Sequence, residues 1–138
     1  MVVLIDTDVL IDFLTDREPF SGNAKEIIQK SQSKDVSTFI AAHSITTIFY
    51  ILRRIYSVPE RKQRLLDLCQ IVSVVEIGYK LIINTLRNYY FDDIEDCLQA
   101  ECAKAINADY IVTRNIKDYC YSEIPAILPE DLLGKMKE

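Results

Sequence analysis

The chain has 138 residues, one domain's worth of material, of which 49% are hydrophobic and 27% charged. With only three glycines and four prolines it can bury a real core, which excludes wholesale disorder and collagen-like structure. A formal net charge of −5 argues against general adhesion to nucleic acid or anionic membrane, though a local basic patch is still open to it.

The first apolar run, Met1 to Ile5, ends at Asp6, far short of the roughly 20 residues a bilayer span requires. It is also too short for a secretory leader, so the expected location is the cytoplasm. Residues 2–5, apolar and rich in β-branched side chains, predict a strand buried on both faces, as in a parallel sheet. A short helix is expected over 9–14, then a loop around Pro19. Ser21 or Asn23 is a candidate cap for the next helix, where Ala24, Ile27 and Ile28 show helical spacing.

Residues 36–39 predict a second strand. Ile45, Ile48, Phe49, Leu52, Ile55 and Tyr56 form one face of a helix over 44–56. Pro59 suits the first turn of a helix reaching 70, and 71–75 is strand-like. Helices are expected over 79–90 and 93–106, the latter with Ile94, Cys97, Leu98, Cys102 and Ala105 towards the core. Residues 110–113 predict a strand, 126–128 a last short one, and Pro129 opens a terminal helix. Alternating strands and helices mean an α/β domain with a mostly parallel sheet, and residues 1–138 read as one domain. In such sheets ligands bind beyond the carboxyl ends of the strands. That rule selects Asp6 and Asp8, then Asn115 and Asp118.

Composition narrows the chemistry. The four cysteines, Cys69, Cys97, Cys102 and Cys120, contain no C-x-x-C pair, and His43 is the single histidine. Zinc, a disulfide framework and histidine-based triads therefore have little to stand on. Cys97 and Cys102 read as small buried apolar residues, and His43 as a capping or exposed residue. The acids remain. Asp6 follows an apolar strand directly, which also suits a helix cap. On the helix over 93–106, Asp93 and Asp96 share a face, as do Asp92 and Asp96. Acids in a first turn complement the helix dipole, which accounts for Asp92, Asp93 and Glu95 better than for Asp96. The stripe that continues from Asp96 through Gln99, Ala100 and Ala103 is small and polar enough to pack beside a site. Arg53, Arg54, Arg61, Lys62 and Arg64 form the one basic patch, a phosphate-tracking surface or a solvated helix face. Tyr89, Tyr90 and Phe91 read as a stacking platform or as a core or interface cluster.

The stretch Val3-Leu4-Ile5-Asp6-Thr7-Asp8-Val9-Leu10-Ile11 resembles the opening of PIN domains, the metal-dependent ribonuclease family that includes VapC-like toxins. Asp93-Ile94-Glu95-Asp96-Cys97-Leu98-Gln99-Ala100, followed by Ala108 through Asn115, is similar to the second half of that family. The resemblance implies a three-layer α/β/α PIN-like fold and an acidic cluster binding Mg²⁺ or Mn²⁺. The first family acid maps onto Asp6 and the third onto Asp96. The second falls at Thr47 and the fourth at Asn115, both neutral, while Asp8 replaces the usual Asn; Asp93 and Asp118 lie close enough to compensate. Catalysis is thereby assigned to Asp6, Asp96, Asn115 and Asp118, and metal binding to Asp6, Asp96 and Asp93. Thr7, Asp8, Thr47, Thr113 and Arg114 are assigned to substrate.

The implied function is a weakened RNA-cleaving toxin, with a small antitoxin as partner and a homodimer as assembly. A non-catalytic PIN-like module binding RNA or protein is the alternative. A haloacid-dehalogenase-like phosphatase, in which Asp6 would be the nucleophile, ranks third because Leu10 stands where those enzymes carry Thr.

Overall fold

A computed structural model describes residues 1–137. Five strands form one parallel sheet: β1 (Val2–Ile5), β2 (Ser37–Ala41), β3 (Ser73–Val75), β4 (Tyr110–Val112) and β5 (Ala126–Ile127), in the order β3-β2-β1-β4-β5. Strand β1 is central because it has nothing polar to present to either face: Val3, Leu4 and Ile5 are all buried. Alternation along it serves two layers. Val3 and Ile5 join the core built with α1 (Thr7–Thr15), α2 (Ser21–Lys30), α3 (Ala42–Ile51), α4 (Val58–Ile71) and α7 (Pro129–Met136). Leu4 joins Ile111 in the core beneath α6 (Ile94–Ala105), with Leu81 of α5 (Tyr79–Arg87) packed against it. The outcome is the expected α/β/α sandwich. Among the described residues no helix is long and apolar enough to cross a membrane.

The chain adds β2 and β3 on one side of β1, then β4 and β5 on the other. The direction of winding therefore reverses between β1 and β4, whose register pairs Val3 with Tyr110 and Ile5 with Val112. Crossovers diverge at such a switch point and leave a crevice beyond the carboxyl ends of the two strands. Asp6 and Thr113 stand at that crevice.

Several local expectations need correction. Neither Ser21 nor Asn23 caps α2: Phe20 occupies the cap position without a side-chain bond, and Ser21 Oγ donates to Glu18 Oε1 at 2.8 Å. Helix α3 stops at Ile51 and tightens into a 3-10 turn over Leu52–Arg54, leaving Ile55 exposed. Helix α5 ends at Arg87, because the Asn88 side chain accepts from Tyr90 N and offers the backbone a turn in place of another helical bond. On α6 the buried face is Cys97, Gln99, Ala100, Cys102 and Ala103, whereas Ile94 and Ala105 are exposed. His43 does not cap α3, where Ala41 holds that position; its half-buried ring donates from Nε2 to Glu95 O at 3.2 Å and ties α3 to α6. The buried cysteines behave as small hydrophobes, and burial pushes the Cys102 thiol up to about 12.

The basic patch is also not uniform. Arg61 is buried; it donates to Phe49 O at 2.8 Å and stacks on the Phe49 ring, fastening α4 to α3. Arg53 and Arg64 lie over Tyr50 and Tyr56. Replacing Arg61 by Ala leaves the Phe49 carbonyl unpaired and should cost about 1–3 kcal/mol, whereas Lys62→Ala, on the exposed face, should stay within about 0.5 kcal/mol. Urea denaturation of the two variants measures the difference.

Candidate active site

At the end of β1 the backbone turns into α1, and Asp6 becomes the residue that caps it: Oδ1 accepts from Thr7 N at 2.8 Å. Its other oxygen, Oδ2, accepts from Thr113 Oγ1 at 2.9 Å. Thr113 is fully buried at the end of β4, and its hydroxyl also accepts from Asn115 N at 3.0 Å. The carboxylate at the switch point is thus held by both central strands. Tyr119, 3% exposed, turns its hydroxyl toward Asp6 from the 3-10 turn Ile116–Tyr119. Burial raises the Asp6 pKa against the lowering effect of these donors, and the Asp118 charge adds to the rise.

Asp96 lies in the first turn of α6, half-buried. Burial and the charges of Asp93, Asp118, Asp6 and Glu95 push its pKa up to about 7. Asp118 therefore acts on both Asp6 and Asp96, and these three acids form one electrostatic group. Asp93 caps α6, its Oδ1 accepting from Asp96 N at 3.0 Å. Its helix-terminal role and its place beside Asp96 are both realised.

Asp8 sits one turn-start further along. Its Oδ2 accepts from Arg114 N at 3.0 Å and from Asn115 Nδ2 at 3.1 Å, which pins the segment after β4 to the start of α1. Burial first, then the Asp6 charge, raises the Asp8 pKa to about 6. Arg114 is engaged through its side chain too: Nε donates to Asp12 Oδ2 at 2.7 Å, and the guanidinium stacks 3.9 Å above the Phe20 ring. Asp12 is a charged residue 1% exposed, so it requires this partner.

Thr47, on α3, donates to His43 O and, at 3.4 Å, to Glu95 Oε1. A carboxylate from α6 thus reaches the neutral position on α3. A buried amide connects the same elements: Gln99 Nε2 donates to Ser44 Oγ at 2.8 Å and to Thr7 Oγ1 at 3.2 Å, and the two hydroxyls pair at 3.1 Å. Gln99 Oε1 has no partner.

The structure draws Asp6, Asp96 and Asp118 into one electrostatic group, with Asp93 against Asp96 and Thr113 against Asp6. Thr7, Asp8, Thr47, Arg114 and Asn115 fall into the networks that brace it. Sequence reasoning missed Tyr119, Asp12, Ser44 and the reach of Glu95. Asp12 had a signal, an acid one turn after Asp8 within the apolar helix; Tyr119 had only its place next to Asp118. Among the described residues no three acidic, histidine or cysteine side chains stand as a ready-made metal cluster. The oxygen donors of Asp6 and Asp96 still suit a hard cation, since Mg²⁺ commonly takes one or two carboxylates and completes its shell with water and phosphate. Repulsion within the group is what a cation would relieve.

The sequence matches the family model described as PIN domain over residues 2–117. No curated protein matches it. Solved structures with the same fold include VapBC2 from Rickettsia felis bound to a DNA fragment from its promoter, at 14% identity and TM-score 0.67, covering 93% of this chain and 98% of that one. A toxin–antitoxin complex from Klebsiella pneumoniae aligns at 20% identity and TM-score 0.67, covering 92% and 97%. Mycobacterium tuberculosis VapC20, a toxin that cleaves the sarcin-ricin loop, aligns at 14% identity and TM-score 0.61, covering 79% and 86%.

The raised Asp96 value has a definite sign for stability. Between its ordinary value near 4 and about 7, the folded protein holds a proton that the unfolded chain has released. Stability from this group therefore falls as pH rises through that window. Asp96→Asn should stabilise the metal-free protein by an amount that grows from about pH 4, the ordinary Asp value, and levels off above about 7. Thermal melts of parent and variant across this range provide the measurement.

Proposed function

The chain belongs to the PIN-domain family, and from that premise we propose that it is a divalent-metal-dependent endoribonuclease, the toxin of a toxin–antitoxin pair. The observation that carries this reading is Asp6 held by Thr7 N and Thr113 Oγ1 at the β1–β4 switch point, with Asp96 near enough for the Asp6 charge to act on it. Asp6 and Asp96 would hold Mg²⁺ or Mn²⁺, with Asp93 and Asp118 supplying negative charge around them. When bound, such an ion supplies a Lewis acid for the phosphodiester.

The chain's own side chains do the rest. Thr113 and Thr7 N orient the Asp6 carboxylate before substrate arrives, so that no reorganisation is needed later. Asp96 gains its charge only near neutral pH, which ties metal affinity to proton release. Asn115 is exposed beside the group and offers a neutral carbonyl oxygen. Thr47 and Arg114 line the approach for RNA, Arg114 through a guanidinium already braced by Asp12. The toxin–antitoxin complexes among the solved structures support a small antitoxin as partner, and the RNA-cleaving toxin among them supports RNA as substrate. The proposed setting is the cytoplasm, and the proposed assembly a homodimer.

A second reading, a non-catalytic module that binds RNA or protein, draws on the neutral residues at Thr47 and Asn115. The haloacid-dehalogenase-like alternative yields to family membership. Cleavage of a mixed-sequence RNA and calorimetric titration with Mn²⁺ separate the first two. The parent should cleave slowly and bind Mn²⁺ weakly, and Asp6→Asn or Asp96→Asn should lose about a hundredfold or more of the activity. Thr47→Glu with Asn115→Asp should tighten Mn²⁺ binding by about tenfold, the equivalent of one well-placed charge, and raise cleavage. If the parent is inert and the doubly charged variant binds no more metal, the module reading prevails.

A further inference from the structure

The helix that carries Asp96, α6, also floors an open cleft of about 710 Å³ that the acidic group leaves unused. Ala100 and Lys104 contribute to its floor. They follow Asp96 at one and two helical turns, about 6 and 12 Å along the helix axis, so the cleft runs along α6 away from Asp96. One wall is the loop through Tyr90 and Phe91, which leads into Asp93 and Asp96. The other is Tyr121 to Glu123, which follows Asp118 and Tyr119. The two segments that deliver the acids thus continue as the walls of the cleft.

Those walls are aromatic and open to solvent. Tyr90 is 74% and Tyr121 62% exposed, and their rings lie 5.9 Å apart at 33°. Phe91 meets Tyr121 edge-on at 6.5 Å. A core role does not explain rings this exposed. Arg87 and Lys104 are the cations of the cleft's lining, and Glu101 and Glu123 its anions. Lys104 pairs with exposed Glu123 at 3.3 Å, a contact weak enough to be exchanged for a phosphate. The cleft is therefore nearly neutral and rich in π-faces, which favours stacking over charge as the source of affinity.

We propose that this cleft is a base-stacking subsite for single-stranded RNA, in which a nucleobase flanking the cleaved phosphodiester stacks on Tyr90 and Tyr121 while Arg87 and Lys104 meet its phosphates. The proposal rests on the ribonuclease reading and adds to it the residues that grip the RNA strand beside the scissile bond.

The test uses the full chain carrying Asp6→Asn, so that RNA stays intact, and a 5′-fluorescein single-stranded RNA of mixed sequence read by fluorescence anisotropy. Adding Tyr90→Ala or Tyr121→Ala should weaken binding about tenfold each, while Tyr90→Phe and Tyr121→Phe should stay within about twofold, because the π-face is retained. Duplex RNA should bind more weakly and respond to none of the four. Circular dichroism melts check that the variants fold, and sedimentation reports their mass. Alanine variants that bind as tightly as their parent overturn the subsite; if the natural protein still cleaves RNA, the nuclease reading survives that result. Alanine variants that turn a dimer into a monomer also overturn it, since the cleft is then an interface between copies. A chain that neither binds nor cleaves RNA removes both ideas together.

Discussion

The Asp6 carboxylate sits at the junction of the two central strands, buried, with one oxygen on its own helix and the other on the Thr113 hydroxyl. A carboxylate in that position loses water and must recover the loss from donors built into the fold. Thr113 can serve only because β4 runs parallel to β1 in a register that ends both strands at the same level, and because Thr113 N is itself anchored to Ile127 O of β5 at 3.0 Å. Through Thr113, two hydrogen bonds therefore link the acid to three of the five strands. Compensation is incomplete: burial still raises the Asp6 pKa above its ordinary value.

Two networks keep that arrangement from relaxing. On one side Asp8, Asp12, Arg114 and Asn115 lock the segment after β4 onto α1, with Phe20 stacked on the guanidinium. On the other, Gln99 bonds to Ser44 and Thr7 and sets the spacing among α6, α3 and the start of α1. Both act on elements that carry acids. Like charges would separate if their supports were loose, because each raised carboxylate lowers stability when it ionises. Rigid supports hold the repulsion in place, and a site whose charges are held together in advance suits a cation or a phosphate-bound cation. Local strain at such a site is set against the buried layers on either face of the sheet.

Much of this was legible from the chain itself. The apolar run before Asp6, the strand before Thr113 and the alternation of periods defined a parallel α/β domain, because burial on both faces demands continuous apolar strands. The carboxyl-end rule then selected Asp6, Asp8, Asn115 and Asp118 without any coordinates. The Asp96-Gln99-Ala100-Ala103 stripe was visible as small and polar, and it is the stripe that packs inward from the site. Segment ends were read less well. Asn88 ends α5 through a side-chain bond that competes locally with the helix, and Phe20 opens α2 with no side-chain bond at all; periodicity carries no record of either.

By itself, the sequence determined which residues lie at strand ends and helix starts, since those positions follow from hydrophobic pattern and chain direction. Only the tertiary structure decided what those residues touch. It alone brought Glu95 against Thr47, buried Arg61 out of an ostensibly basic surface, paired Arg114 with Asp12, and set Tyr119 facing Asp6. Each of these joins side chains from different elements. Their meeting depends on how the layers pack around β1 and β4, a geometry that no local spacing along the chain contains.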